Sequence, residues 1–279
     1  MPEIQPVGAS AKVFCLIHSD SGVGKTTLIG SGGKKFKELL IRTPISHSDP
    51  IIGSGVMEMI CHDWEEIFEA LDYCRHEGHK YDWVWFEDIS LTQDVGLDDV
   101  YVTNALDKKG PIGSQARKER ERWGPDQGEY RVNMWRLGQW VRYAVGAGQF
   151  NLGITAHSFY WEPKSKDVEN YNIEPCMWPW IQGKGMPSKI CGMMNVVGYM
   201  EVKTRKIKGR EREIRVLHTN KSPDWYAKCQ IKTPDGKSVF GDGDLINPTL
   251  PEMMEMISKG RPVHKQEHQR VVRRRTRRK

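Results

Sequence analysis

Long apolar runs are missing from this chain. Nowhere in its 279 residues does an uninterrupted hydrophobic stretch approach the ~20 residues that a bilayer span needs, so no membrane-spanning helix is expected. Met1-Pro2-Glu3-Ile4-Gln5-Pro6 offers no basic segment followed by an apolar one, and no secretory leader is expected from it. Paired cysteines are missing too. Cys15, Cys61, Cys74, Cys176, Cys191 and Cys229 are scattered without a C-x-x-C, which suits reduced thiols in a cytosolic protein. Cys74, His76 and His79, with Cys61-His62 upstream, match no zinc spacing, and a helix end with polar neighbours is the expectation there. Acids are absent from the last ten residues, where Arg270, Arg273, Arg274, Arg275, Arg277, Arg278 and Lys279 supply seven cations. The whole chain carries a formal +6, so its body is near neutral and its basic character lies in that tail. What remains, 38% hydrophobic and 28% charged, is a globular composition long enough for a full α/β core with a small appendage.

One stretch organises the rest. Val13-Phe14-Cys15-Leu16-Ile17 reads as a short buried strand, Ser19-Asp20-Ser21-Gly22-Val23-Gly24-Lys25-Thr26-Thr27 follows, and Thr27-Leu28-Ile29 can continue a helix. Strand, glycine-rich turn, Gly-Lys-Thr, helix is the phosphate-binding loop. Gly22 and Gly24 let backbone N–H groups curl around phosphate oxygens, and the helix start adds its positive dipole end. Ser21 to Thr27 are therefore the candidate nucleotide-binding residues, with Lys25 reaching the β- and γ-phosphates and Thr26 ligating Mg²⁺. One departure is visible: the first position of the G-x-x-x-x-G-K-[ST] pattern is Ser19.

Further elements follow in order. Leu39-Leu40-Ile41 reads as a second strand ended by Pro44, and 45–56 as loop. Asp63 to Tyr73 reads as a helix, with Asp63 as N-cap, Glu66 three residues on, and Trp64, Ile67, Phe68 and Leu71 on one core face. Tyr81 to Asp88 is an apolar run ending in two acids, the pattern of a buried strand that carries a carboxylate to the phosphate loop and its Mg²⁺. Glu87 and Asp88 are both candidates. Residues 91–128 form a long polar region. Its Arg117, Lys118, Arg120, Arg122 and Trp123 suit either a solvated mixed-charge helix or a loop offered to a phosphate backbone. Tyr130 to Ala147 reads as an amphipathic helix, and Phe150 to His157 as a strand whose end, His157, is a candidate sensor of the γ-phosphate. Residues 158–185 read as a second loop, in which Trp161, Lys164, Lys166, Tyr171, Trp178, Trp180 and Lys184 interleave rings and cations. That suits either single-stranded nucleic acid or a loop folded onto its own domain. Met186 to Met194 reads as a short helix, Val196 to Val202 as a strand paired with Arg212 to His218 across Lys208-Gly209-Arg210, and Tyr226-Ala227-Lys228 as the end of another strand. Asp242-Gly243-Asp244 reads as a turn, Pro251 to Ile257 as a last helix, and the chain from Lys259 as tail.

Ser19–Thr27, the strand ending Glu87-Asp88-Ile89-Ser90, then Ile154-Thr155-Ala156-His157 and Val197-Gly198-Tyr199 together resemble the RecA-like P-loop ATPases encoded by phages. That group contains phage nucleotide-binding proteins, some of them single-strand annealing proteins. The resemblance covers roughly residues 11–230. It implies a RecA-like ATPase core with a mostly parallel central sheet flanked by helices and a β-rich C-terminal portion. Residues 1–10 would be an N-terminal arm, 231–258 a C-terminal extension and 259–279 a basic tail. It implies ATP and Mg²⁺ as cofactors, with Lys25 and Thr26 on phosphate and metal, Glu87 or Asp88 on the metal, and Lys25, Asp88 and His157 as catalytic residues. Single-stranded DNA would contact regions 91–128 and 158–185 and the tail at 270–279. Head-to-tail homo-oligomers in the host cytoplasm are implied as well, with Lys228 a candidate cation for a neighbour's ATP. The sequence departs from RecA-type enzymes where the second strand ends Ile41-Arg42-Thr43-Pro44 without an acid. Asp49 and Asp88 are the substitutes.

Three functions compete. One is ATP hydrolysis coupled to single-stranded DNA in recombination or replication. The second is nucleotide-gated DNA binding or annealing with little turnover. The third is a small-molecule kinase built on the same loop, with Arg117, Arg120 and Arg122 as its lid.

Overall fold

The computed structural model describes residues 12–77, 80–106, 125–162, 175–183, 185–207 and 210–260. β1 (Phe14–Ser19) runs into the phosphate loop and α1 (Lys25–Gly30). β2 (Glu38–Arg42), a 3-10 turn (Asp49–Ile51) and β3 (Met57–Ile60) follow, then α2 (Trp64–Glu77), β4 (Trp83–Glu87) and α3 (Ile89–Leu106). α4 (Gln127–Ala147) leads to β5 (Asn151–Trp161), β6 (Cys176–Pro179) and α5 (Met186–Met193). The C-terminal portion is β-rich: β7 (Val196–Ile207), β8 (Arg210–His218), β9 (Lys228–Cys229) and β10 (Leu245–Ile246), closed by α6 (Leu250–Gly260).

The strands form one sheet in the order β10-β8-β7-β1-β5-β4-β2-β3, with β6 on β5 and β9 on β7. The pairs β2–β3, β2–β4, β4–β5, β1–β5 and β1–β7 are parallel. The fold is thus α/β with a mostly parallel central sheet flanked by helices, as the motifs require. A strand covered on both faces must be apolar throughout, and Leu16 and Ile17, neighbours pointing to opposite faces, are both fully buried. One face packs Leu16, Ile41, Phe86 and Ile154 under Trp64 and Ile67 of α2 and Leu137 and Trp140 of α4. The other packs Ile17, Leu40, Trp83 and Trp85 under Leu28 and Ile29 of α1 and Met253 and Ile257 of α6. The second face explains a glycine within a strand. A Cβ on Gly153 would lie 2.0 Å from the Trp85 ring, so that position of β5 has no room for any side chain.

Helix starts follow their caps. Asp63 Oδ1 accepts the Glu66 amide at 2.9 Å. At α4 the Asp126 carboxylate accepts from Gly128 and Glu129, and the Glu129 carboxylate accepts the Asp126 amide at 2.8 Å, a reciprocal capping box. The apolar pattern places the start of this helix at Tyr130, and the capping box sets it three residues earlier.

Other boundaries also differ from expectation. The polar region 91–128 is not a loop throughout: 89–106 is α3, capped by Asp88, whose Oδ1 accepts the Leu91 amide at 2.7 Å. Residues 115–124 lie outside the described part. β5 does not stop at His157. It leaves β4 after Ile154 and β1 after His157 and continues four residues as an antiparallel ribbon with β6, so 158–161 and 176–179 are sheet rather than loop. Trp178 is buried and stacks on Tyr226 at 4.1 Å, and Trp161 stacks on Phe159 at 5.9 Å. These two rings are packing elements of the domain; Trp180 is 42% exposed. Lys164, Lys166, Tyr171 and Lys184 lie outside the described residues. Lys228 opens β9 instead of ending a strand, and Lys259 and Gly260 are still helical; residues 261–279, with the basic tail, are outside the described part.

Candidate phosphate-binding site

β1 and β4 end side by side where β5 parts from β1, and a cleft of about 260 Å³ opens there. It is lined by Ser21, Gly22, Gly24, Lys25, Thr26 and Thr27 of the loop, Glu87 at the end of β4 and Asp88 after it, and His157 on β5. The parallel register makes this convergence unavoidable, because Ser19 pairs with His157 and Arg42 with Glu87. Ser19 and His157, 138 residues apart in sequence, meet because the loop and both polar strand segments lie at the same edge.

The loop is held from inside. Lys25 is buried, and its ammonium donates to the Ser19 carbonyl (3.2 Å), the Ser19 hydroxyl (3.1 Å) and the Asp20 carbonyl (3.2 Å). Burial pulls the Lys25 pKa below its ordinary value, while the charges of Asp88, Glu87 and Asp20 oppose that fall. Ser19, the departure from the usual glycine, is fully buried at the end of β1, and its hydroxyl donates to the Asp20 carbonyl at 2.8 Å. The serine therefore anchors the lysine through a contact that a glycine lacks.

Gly22 and Gly24 take φ of 76° and 112°. At Gly24 there is a second demand: a Cβ would stand 2.3 Å from Arg215 Nε. Arg215, on β8, crosses the loop and donates from Nε to the Val23 carbonyl at 3.0 Å. Nothing local in sequence announces this contact, which spans 192 positions. Gly24→Ala is expected to lower stability by about 1–2 kcal/mol from the backbone alone and to dislodge Arg215; a urea midpoint comparison checks it.

The acids divide their work. Thr26 Oγ1 donates to Glu87 Oε1, whereas Glu87 Oε2 is buried and finds no partner among the described residues. Burial pushes the Glu87 carboxyl up to about 7, with the Thr26 hydrogen bond resisting and Asp88 adding to the rise. An orphaned carboxylate oxygen beside a threonine hydroxyl is a hard-oxygen donor set, which fits Mg²⁺. Asp88 is also buried, and its Oδ2 lies 3.0 Å from His157 Nε2. The acid-free end of β2 is tied off: Arg42 pairs with Glu58 of β3 at 2.8 Å and donates to the Ser46 carbonyl at 2.9 Å. Ser46 Oγ in turn donates to the Glu87 carbonyl at 2.9 Å. This brings Ser46 and His47 to the cleft, two residues the sequence reading left in a plain loop. Asp49 is exposed and does not line the cleft. Lys228 is half-buried on β9 opposite Val197 and does not line it either.

No protein-family model matches the chain, and no curated protein sequence does. Among solved structures, the chain is similar to the RadB recombinase, with a TM-score of 0.39 and 12% identity over 74% of this chain and 79% of that one. It is similar to the flagellar accessory protein FlaH from Methanocaldococcus jannaschii, with a TM-score of 0.37 and 9% identity over 77% and 81%. Likeness at this level says nothing about what the chain binds.

Proposed function

We propose that the protein binds ATP with Mg²⁺ in this cleft, hydrolyses it, and couples it to single-stranded DNA in recombination or replication. The observation that carries the reading is the convergence of the Lys25 loop, the Thr26–Glu87 pair with its unpartnered oxygen, and the Asp88–His157 pair on one cleft. Loop amides and the Lys25 ammonium bind the β- and γ-phosphates. Thr26 and Glu87 hold Mg²⁺, which neutralises phosphate charge when bound. Asp88 takes the proton of the attacking water, and His157 senses the γ-phosphate. Since β5 continues from His157 into its pairing with β6, a shift at His157 is passed to that ribbon. Exposed Ile45 on the cleft, with exposed Ile52 after the 3-10 turn and Met57 and Ile60 on the edge strand β3, supports assembly of copies with nucleotide at their boundary.

A second reading, nucleotide-gated DNA binding or annealing with little turnover, is favoured by one observation. β2 ends without an acid, and both Asp88 oxygens already have partners, Leu91 and His157. Hydrolysis by wild type and Lys25→Ala, with and without single-stranded DNA at low and moderate salt, separates the two. DNA-stimulated turnover that is lost in Lys25→Ala is the expected result. Absent turnover with DNA binding intact in both proteins would leave the second reading.

A further inference from the structure

β7 and β8 pair over the full span from Tyr199↔His218 to Ile207↔Arg210, but β1 accompanies β7 only as far as Tyr199. The rest of the ribbon continues past the sheet, and its two faces differ in charge. On one face Lys206 stands opposite Glu211 and Thr204 opposite Glu213, pairings that suit a solvated hairpin. On the other face Arg205 stands directly opposite Arg212, with Lys203 and Arg210 at neighbouring positions. Like charges directly opposite are destabilising in an antiparallel pair. Arg205, Arg210 and Arg212 are exposed, and none forms an ion pair with another described residue. Two acids stand at the root of that face, away from the arginines: Glu201 is taken by Lys203 (2.7 Å) and His218 (2.6 Å), and Asp244 Oδ1 lies 2.6 Å from His218 Nδ1. At the root of the same face stands half-buried Trp225, stacked on His218 at 4.0 Å and Tyr199 at 5.6 Å. The Lys203 ammonium lies 5.9 Å from its ring.

We propose that this face of the β7–β8 ribbon is a contact surface for single-stranded nucleic acid, separate from regions 91–128 and 158–185, with Arg205, Arg210 and Arg212 on phosphates and Trp225 beside a base. Opposed arginines without an internal counter-ion are relieved by an external polyanion, and an aromatic ring at the foot of the cation row, beside Lys203, selects an unpaired strand over a bare charge match. The inference rests on the nucleic-acid half of the proposed function, not on the phosphate cleft.

The test is fluorescence anisotropy of a labelled oligothymidylate with the full chain across a salt series. Arg212→Glu and, separately, Arg205→Glu are each expected to weaken binding about fivefold or more and to reduce the salt slope by about 1. Lys206→Glu, of equal charge change on the opposite face, is expected to have a distinctly smaller effect. The melting temperature of Arg212→Glu should rise, because opposite charges then face each other; this shows that the weakened binding does not come from a damaged ribbon. Wild type that binds while both arginine variants bind equally well overturns the ribbon surface alone. The same unchanged affinity accompanied by reduced ATP turnover also overturns it, and assigns the arginines to a second copy's nucleotide. Wild type that binds no oligonucleotide removes the nucleic-acid half of the functional reading and the ribbon surface with it.

Discussion

Replacing Asp88 by asparagine is expected to lower ATP turnover by about 10²–10³-fold, the scale of a lost general base, with nucleotide affinity changed by less than about threefold. Asparagine is the informative substitution because Asp88 has two jobs. Its Oδ1 caps α3 through the Leu91 amide, and its Oδ2 meets His157. Asparagine caps a helix about as well as aspartate, so the fold stays while the proposed proton acceptor goes. Lys25, Thr26 and the loop amides are untouched, which is why binding should persist. His157→Ala should give a loss of its own, and the double variant should be little worse than Asp88→Asn, since paired groups acting as a unit are not additive. The check is single-turnover hydrolysis beside a binding isotherm for a labelled nucleotide. If Asp88→Asn keeps wild-type turnover, the carboxylate is only a cap and a positioner of His157, and the base must be sought elsewhere on the cleft, His47 first.

The second large effect concerns stability and lies at the opposite end of β2. Glu38 is buried, accepts the Trp85 indole N–H at 2.8 Å through Oε2, and leaves Oε1 without a partner among the described residues. Burial pushes its carboxyl from an ordinary 4.5 up to about 8, with Trp85 resisting and Asp82 adding to the rise. Between these values the folded protein keeps a proton that the unfolded chain has released, so stability falls as pH rises from about 4.5 to about 8 and then levels off. The loss for this one group reaches up to about 5 kcal/mol. Glu38→Gln preserves the shape and removes the ionisation. It should match wild type near pH 5 and exceed it at pH 9, in urea unfolding measured across that range. Parallel curves for the two proteins would show that Glu38 is solvated in the folded state.

What could be read from the sequence was what is local. The strand, glycine turn and helix around Lys25 are contiguous, and the motif carries its own chemistry, so β1, the loop and α1 emerged together. β4 and its two acids were legible as an apolar run with a polar end. β3 was not seen: Met57 and Ile60 are exposed on an edge strand, and such a segment lacks the in–out alternation by which strands are recognised. Trp178 stands between two readings in the sequence, nucleic-acid contact or packing on its own domain, because proline and glycine around a tryptophan look like a loop; its burial depends on Tyr226, far along the chain. Ser19 was visible as a departure, but its bond to Lys25 appears only once β1 and α1 are folded back to back. Arg215 had no local signal at all. Its role comes from register, since β8 lies beside β7 and β7 beside β1, and only that order lets its side chain reach Val23.

All six cysteines are buried and none forms a disulfide, and burial pushes Cys15, Cys61, Cys74 and Cys191 up to about 12. They are also sorted by layer: Cys61, Cys74, Cys176 and Cys191 lie with one core, Cys15 and Cys229 with the other. An alkylating reagent can reach them only when a layer opens, so each cysteine times the lifting of the helices above it. Mass-resolved labelling would separate the two layers without any substitution. It would show whether the helices that carry Cys74 and Cys191 come loose before the layer that carries α1 and α6.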